Sequence, residues 1–531
     1  MLNTIRSLNG AVTAPHHLAA QAGLRVLREG GTAVEAAVAT GAALTVVYPQ
    51  MNSMGGDGFW VIAEPGAAPV GVESAGRAAG LATIDLYREH GLSVVPWRGP
   101  MAANTVAGMV AGWESALKVS HGWGGRQLPL SRLFEEAIGY AENGMAVTNN
   151  MSELTTAKKA ELAAVPGFAG VYLPGGEVPA PGSNLRQTSL GETLRRLAAE
   201  GLDDYYRGAL ARDMAADLEA AGSPVRLSDL EAHHARRVAP LHVDIEGAQL
   251  FNMTPPTQGV ASLMILALFE RLGVKHAESF EHVHGIVEAS KRAFILRDRH
   301  VGCPEAMDWD PQAALDDAAM LDRMAASIDP RRAMAWPHQP SGGDTVWFGA
   351  IDAQGRAASV IQSTYFEYGS GVVLPKTGVV WQNRGASFRL TPGSPQSLAP
   401  FRKPFHTLNP AFARLSDGRV MVYGTMGGEG QPQTQAAVFT RYAQFGQGLQ
   451  AAVTAPRWLL GRTWGEETVS LKLESRFDPA LVQALRDAGH DVELFPAFHS
   501  VMGHAGALVR HPDGNIEGAT DPRADGIVAA Y

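Results

Sequence analysis

A threonine stands at the start of an apolar run within "PSGGDTVWFGAIDAQGRAASVIQS", residues 340–363. Two runs rich in Val, Ile, Phe and Ala, "TVWFGAI" and "AASVIQS", flank "DAQG", and turn residues between apolar runs predict a β-hairpin. The first run opens with Thr345, directly after Asp344. A threonine hydroxyl is activated when the residue is N-terminal, because its own α-amine then accepts the proton. Thr345 is therefore either an ordinary strand residue or a nucleophile released by cleavage of the Asp344–Thr345 bond.

The segment that precedes Thr345 suits such a cleavage. "SIDPRRAMAWPHQPSGGD", residues 327–344, contains three prolines and two glycines, which predicts an exposed connector without regular structure. A hydroxyl beside such a connector can attack the preceding carbonyl in an N-to-O acyl shift. A threonine at the start of a strand is common, however, so the local pattern alone favours the ordinary interpretation. The rest of the chain has to decide between the two.

Acyl transfer also needs N–H donors where an oxyanion develops, and two glycine-rich segments could supply them. In "YGTMGGEGQPQTQ", residues 423–435, Gly427 and Gly428 follow an apolar strand and precede a helical pattern, so their amides can point towards one site. "MNSMGGDGF", residues 51–59, is the competing candidate. Either segment is also compatible with a plain tight turn.

Metal and cofactor chemistry is not indicated. The histidine pairs His16-His17 and His233-His234 lack the i, i+4 spacing that puts two ligands on one helix face. Cys303 is the single cysteine, which excludes an internal disulfide and a cysteine-cluster metal site, and it is expected to be a small buried residue. We expect no cofactor and no metal.

Composition limits the classes of partner. The chain of 531 residues is 46% apolar and 18% charged, which is typical of a folded globular protein. Its net charge of -9 is spread along the sequence without a Lys/Arg-rich run, so neither nucleic acid nor a membrane surface is an expected partner. The most apolar stretches are too short to cross a bilayer, and the N-terminus lacks the apolar region of a secretory signal. These features predict a cytoplasmic location.

Helical patterns dominate the first two thirds of the chain, and strand patterns the last third. Apolar spacing predicts helices over 15–47 (two helices packed through small side chains), 129–143, 151–164, 189–220, 258–272 and 279–299. Short β-branched runs begin at Thr345, so we expect the sheet to begin there.

Several separated blocks resemble one family, the γ-glutamyltransferases, over the whole chain. They are "LREGGTAVEAAVATGAALTVVYPQMNSMGGDGFWVI", "FNMTPPTQGVASLMIL" and the C-terminal "EGATDPRADGIVAAY". The resemblance implies an α+β fold, the four-layer αββα sandwich of N-terminal-nucleophile hydrolases. It also implies a precursor that cleaves itself into a large subunit, 1–344, and a small subunit, 345–531, which together form one αββα unit. Such a heterodimer can pair further into a dimer of heterodimers, which the sequence leaves open.

The same resemblance assigns catalytic roles. Thr345 becomes the nucleophile and the new N-terminus, and the cleavage site is Asp344-Thr345. Ser363 becomes the hydroxyl residue beside the nucleophile, while Gly427 and Gly428 form the oxyanion hole.

The residues that hold a γ-glutamyl group in the family are largely replaced. In "QNRGASF", residues 382–388, Arg384 stands at a glutamine position and Ser387 at the position of an ammonium-binding aspartate. Tyr365 stands at an asparagine position, and His406-Thr407 replaces a serine pair. A substrate ammonium would face a guanidinium, and such a contact at about 4 Å costs about 4 kcal/mol at an effective dielectric near 20.

The remaining charges indicate a small anionic amide as substrate. Arg77 in "ESAGRAAG" is placed by the resemblance at a carboxylate-binding position, and Arg384 adds a second positive charge. Within the family, "STYFEYGSGVVLPKTGVVWQNRGASF" and "MGGEGQPQTQAAVFTRY" are most similar to amidases that convert oxamate to oxalate and ammonia. The alternatives are a γ-glutamyltransferase or glutathione hydrolase, a glutaryl or cephalosporin acylase with a roomier pocket, and an inactive binding protein of the same fold.

Overall fold

The structure is a computed structural model that describes residues 3–336, 344–461 and 468–531. Two seven-stranded antiparallel sheets form its centre. The first sheet has the order β1-β18-β17-β13-β12-β9-β8, and the second has the order β19-β2-β10-β11-β3-β4-β7. Their strands are β1 Ile5–Ser7, β2 Ala11–Ala14, β3 Asp57–Ala63, β4 Val70–Glu73, β7 Arg236–Val238, β8 Leu241–Ile245, β9 Ala248–Asn252, β10 Asp344–Ile351, β11 Ala357–Tyr365, β12 Ala411–Leu415, β13 Val420–Thr425, β17 Ala505–Arg510, β18 Ile516–Thr520 and β19 Ile527–Ala530.

Smaller sheets and the helices complete the described chain. The remaining strands are β5 Met145–Ala146, β6 Asn184–Leu185, β14 Trp458–Leu460, β15 Leu471–Glu474 and β16 Val492–Phe495. The helices are α1 His17–Arg28, α2 Ala33–Val47, α3 Ile84–Glu89, α4 Met109–His121, α5 Leu130–Leu133, α6 Glu135–Asn143, α7 Asn149–Leu162, α8 Phe168–Tyr172, α9 Thr188–Glu200, α10 Asp204–Arg207, α11 Ala209–Ala221, α12 Leu227–Glu231, α13 Gly259–Arg271, α14 Phe280–His300, α15 Pro311–Asp316, α16 Ala318–Ala326, α17 Gly430–Phe439, α18 Leu449–Thr454 and α19 Pro479–Asp487.

Three hydrophobic cores separate four layers. One core lies between the two sheets and includes Phe59, Trp347 and Phe412. A second joins the outer face of the β10-containing sheet to helices such as α1, α2 and α4, and a third joins the other sheet to α13, α14 and α17. The expected α+β fold with αββα layering is confirmed.

The helix pair predicted over 15–47 is present as α1 and α2, and it packs through small side chains. A Cβ added at Gly23 of α1 would overlap Thr40 of α2. Such close packing explains why α2 is apolar on all sides, since all its residues are buried.

The expectation that the sheet begins at Thr345 is wrong. Strands β1 to β4 and β7 to β9 precede that residue and lie in both large sheets. The predicted hairpin is correct, because β10 and β11 pair antiparallel, but β2 and β3 flank it on either side. Strands from before and after Thr345 thus complete the same sheet. In the described ranges, no helix combines the length and the apolar character needed to span a membrane.

Candidate active site

Thr345 lies at an irregular point of the β10–β11 pairing. Asp344 pairs with Tyr365, but Val346 pairs with Gln362, so two residues of β11, Ser363 and Thr364, stand opposite the single Thr345. Such bulges occur beside active sites because they redirect side chains away from the regular alternation of the strand. The bulge therefore places Ser363 and Thr364 across from Thr345.

Tyr365 closes the bulge in a strained backbone conformation. Its φ of +85° is rare for a residue with a Cβ and marks a position that the surrounding structure enforces. Its backbone N–H donates to Ser363 Oγ at 2.7 Å. This buried hydrogen bond fixes the bulge within β11.

Packing between the sheets aims Thr345 at the end of β13. Residues i and i+2 of a strand share a face, so Thr345 points the same way as Trp347. Trp347 packs against Gly424 of β13, where any Cβ would overlap its indole ring. The segment after β13 carries Gly427 and Gly428, and α17 begins at Gly430.

The first turn of α17 reaches the threonine directly. Gln431 Nε2 donates to Thr345 Oγ1 at 3.4 Å, and both side chains are buried. Gln431 is not among the site residues predicted from the sequence. Its signal was available in "GGEGQPQTQ", where a glutamine follows the glycine turn at the helix start.

The two glycine-rich segments differ in whether their amides are free. Gly427 and Gly428 have φ of +119° and +52°, and neither N–H donates a hydrogen bond to another described residue. In the competing segment, the Gly55 and Gly56 amides donate to Ser53, and a Cβ at Gly56 would overlap the Ser363 carbonyl. The geometry favours Gly427 and Gly428 as oxyanion donors and gives the other pair a packing role.

Arg384 is a buried cation next to the bulge. Its guanidinium lies 3.5 Å from the centre of the Tyr365 ring, and Nη1 donates to Thr407 Oγ1 at 3.4 Å. Nε and Nη2 are buried without a hydrogen-bond partner in the described ranges. Burial lowers the pKa of Arg384 to about 10, so the group is charged at neutral pH. A buried guanidinium with unpaired N–H groups is suited to a ligand carboxylate.

His406 contacts an acid that the sequence analysis did not assign. His406 Nε2 lies 3.2 Å from Asp57 Oδ2, and both side chains are fully buried. Asp57 Oδ1 accepts the Gly76 and Gly108 amides at 2.9 Å each. Burial lowers the pKa of His406 to about 4, so the imidazole is neutral near pH 7 and leaves Arg384 as the charged group beside it.

A buried polar network supports Thr407 and the glycine turn together. Gln258 Nε2 donates to the carbonyls of Thr407 and Gly428 at 2.7 and 2.9 Å. The oxygen of the same amide, Gln258 Oε1, accepts a hydrogen bond from Arg297. Arg297 also forms an ion pair with Glu429 at 2.7 Å. Displacement of one of these groups would therefore affect both the oxyanion segment and the Arg384 pocket.

Two predicted substrate residues have local partners instead. Ser387 Oγ donates to the carbonyls of Arg384 and Phe405 at 3.0 and 3.1 Å, which fixes the loop that carries Arg384. Arg77 lies near the surface, where its guanidinium donates to Glu305 at 2.6 Å and to the Phe401 carbonyl at 2.8 Å. In the structure the Arg77 side chain is thus held by Glu305 and the Phe401 carbonyl.

Within the described ranges, a cluster with ligand-like spacing lies away from this site, at His284, Glu288 and His490. Lys291 and Arg292 both form ion pairs with Glu288 there. Cys303 is buried as expected. Residues 337–343, which form the last part of the predicted connector 327–344, lie outside the described residues.

The sequence profile of the Gamma-glutamyltranspeptidase family matches residues 19–531. The chain is 54% identical over 525 residues to the oxamate amidohydrolase proenzyme of Klebsiella pneumoniae, with 99% of each chain covered. It is 38% identical over 518 residues to a glutathione hydrolase-like proenzyme of Bacillus subtilis, with 97% of each covered. Among solved structures, the cephalosporin acylase from Bacillus halodurans has a TM-score of 0.91 at 30% identity, covering 100% of this chain and 97% of that one. These similarities run through the segments on both sides of Thr345.

Proposed function

Since this chain belongs to the gamma-glutamyltranspeptidase family, we propose that it is a self-cleaving amidohydrolase that converts oxamate to oxalate and ammonia. Thr345 is the nucleophile of this reaction, and the Asp344–Thr345 bond is the cleavage site. The relative with 54% identity is named for the same activity. Release of ammonia from oxamate in the cytoplasm would make the protein an enzyme of nitrogen catabolism.

The observation that carries the proposal is the buried Arg384 beside the Thr345 bulge. Its Nε and Nη2 groups meet no hydrogen-bond acceptor at normal geometry in the described ranges. Its guanidinium lies over the ring of Tyr365, the residue that pairs with Asp344 across the bulge. A carboxylate bound there lies close to the nucleophile, so the scissile carbonyl must be a near neighbour of that carboxylate. Oxamate, in which the two carbons are bonded directly, meets this requirement.

The contacts of the same pocket disfavour a γ-glutamyl substrate. Ser387, at the position that holds an ammonium in the family, is already hydrogen-bonded to the Arg384 and Phe405 carbonyls. Asp57 accepts two amides on one oxygen and lies beside His406 with the other. An ammonium bound in this pocket would also face the Arg384 guanidinium, and such a contact at about 4 Å costs about 4 kcal/mol at an effective dielectric near 20.

The reaction proceeds in two acyl-transfer steps. The Thr345 α-amine takes the hydroxyl proton, Oγ1 bonds to the amide carbon, and the carbonyl electron pair moves to oxygen, where the Gly427 and Gly428 amides stabilise it. The ammonium of Thr345 gives its proton to the amide nitrogen as the intermediate collapses, so the C–N bond breaks, ammonia leaves and an oxalyl ester remains on Oγ1. Water, deprotonated by the same amine, then hydrolyses the oxalyl ester and regenerates Thr345.

The fragments 1–344 and 345–531 should remain associated as a heterodimer. Strands β10 and β11 lie between β2 and β3 in one sheet, so separation would break backbone hydrogen bonds on both sides of the hairpin.

Mass spectrometry of the purified protein and ammonia release test the proposal. Two masses are expected, and the smaller fragment should begin Thr-Val-Trp-Phe. Oxamate should release ammonia faster than oxamide, while a γ-glutamyl anilide and a glutaryl amide should be poor substrates. A protein that stays a single chain and is fully active would refute Thr345 as the nucleophile. Preference for the γ-glutamyl or glutaryl compound would refute oxamate as the substrate.

A further inference from the structure

Gln431 differs from the other buried glutamines at the start of α17. Its Nε2 contacts Thr345 Oγ1, but its Oε1 is buried and lacks a hydrogen-bond partner in the described ranges. Gln433 lies two residues further along α17. Its side-chain amide is fully paired, because it donates to the carbonyls of Glu429 and Leu460 and accepts from the Leu460 N–H. A buried carbonyl oxygen left unpaired by the described residues indicates a place for a further donor.

Cleavage before Thr345 creates such a donor. The backbone amide of Thr345 has one N–H, whereas the free α-amine has two and its protonated form has three. The α-nitrogen and Oγ1 of a threonine are close neighbours, and so are the oxygen and nitrogen of a carboxamide. One carboxamide can therefore face both reacting groups of Thr345.

We propose that Gln431 is a catalytic residue of the cleaved enzyme, whose Nε2 donates to Thr345 Oγ1 while its Oε1 accepts from the new α-amine. This inference rests on the proposed nucleophile. Because Gln431 Nε2 donates to Oγ1, it orients the Thr345 hydroxyl so that the hydroxyl proton points towards the α-amine. The bond at Oε1 strengthens when that amine becomes an ammonium, so Gln431 assists the proton transfer that forms the Oγ1–carbon bond.

The discriminating substitution is Gln431→Glu, which is nearly isosteric but places a carboxylate against the amine. A negative charge in hydrogen-bond contact with the Thr345 α-amine should raise the pKa of that amine by about 1 to 3 units. The α-amine can be followed without catalysis by competitive labelling with acetic anhydride at a series of pH values. The rising limb of kcat/KM against pH should shift upward by the same amount.

Gln431→Met and Gln433→Met provide the controls. Gln431→Met retains a side chain of similar length but removes both hydrogen bonds, and we expect kcat to fall about 10- to 100-fold with little change in KM. Gln433→Met should lower the unfolding temperature and leave the amine titration where it is in the wild type. If Gln431→Glu fails to fold, the kinetics of Gln431→Met test the role of Gln431. A fall in kcat with little change in KM supports that role, and a wild-type kcat refutes it.

Periodate separates this inference from the proposed function, since it oxidises an N-terminal threonine but not an internal one. If the smaller fragment resists periodate, the nucleophile assignment fails. If the fragment is oxidised but the amine titration is the same in the wild type and Gln431→Glu, or if Gln431→Met retains wild-type kcat, the role of Gln431 is refuted.

Discussion

Replacement of Arg384 by lysine should separate charge from geometry in the substrate pocket. The lysine retains a positive charge but cannot bind a carboxylate through two parallel N–H groups or lie flat on the Tyr365 ring. Loss of one charge-assisted hydrogen bond costs about 1.5–3 kcal/mol, and loss of the ring contact costs about 0.5–1 kcal/mol. The transition-state stabilisation for oxamate should therefore fall by about 2–4 kcal/mol, which is a drop of about 30- to 1000-fold in kcat/KM.

The assay is ammonia release from oxamate and from oxamide by the wild type and the variant. Oxamide has no carboxylate, so its kcat/KM should change little, and the ratio of the two values should fall with the substitution. Arg441→Lys is the matched control, because Arg441 is also fully buried but pairs with Glu278 away from this pocket. It should affect stability and leave the ratio unchanged. Self-cleavage should persist in both variants, since it involves no substrate. An equal loss for both amides, or no loss for oxamate, would refute the carboxylate pocket at Arg384.

The remaining predictions concern the nucleophile and pH. Thr345→Ala should abolish both self-cleavage and hydrolysis, whereas Thr345→Ser should retain part of each; intact mass and ammonia release check this, and a cleaved alanine variant would contradict it. Since burial holds the pKa of Arg384 at about 10, KM for oxamate should rise about tenfold per pH unit above that value while KM for oxamide stays level. Acidification from pH 6.5 towards 4 should destabilise the fold, because the unfolded chain then binds protons at histidines that burial keeps neutral in the folded protein. The free energy of unfolding should fall by up to about 1.4 kcal/mol per histidine per pH unit. These histidines have pKa values lowered to about 3 or 4 and are His16, His233, His282, His406, His490 and His504. Equal thermal midpoints at pH 7.5 and 5 would argue against this account.

The sequence by itself determined the local elements and the reactive residue types. Apolar periodicity and turn residues predicted α1, α2 and the β10–β11 hairpin, because these features depend on neighbours within a few positions. The order Gly427-Gly428 before a helix also indicated an anion-binding turn, although a second glycine segment had the same local character. Resemblance, rather than periodicity, predicted the αββα layers.

Only the tertiary structure decided which of these residues meet. The bulge that places Ser363 opposite Thr345 depends on long-range pairing, and the short strands before Thr345 join the same sheets only because strands distant in sequence complete their hydrogen bonds. Arg77 and Arg384 are equally plausible cations in the sequence, but Glu305 and Phe401 hold the first at the surface while packing buries the second. Gln431 illustrates the same limit, since its importance lies in a contact across 86 positions and in an oxygen left unpaired by its surroundings. Burial and partner choice are set by the whole fold, and a residue's immediate neighbours in the sequence do not contain that information.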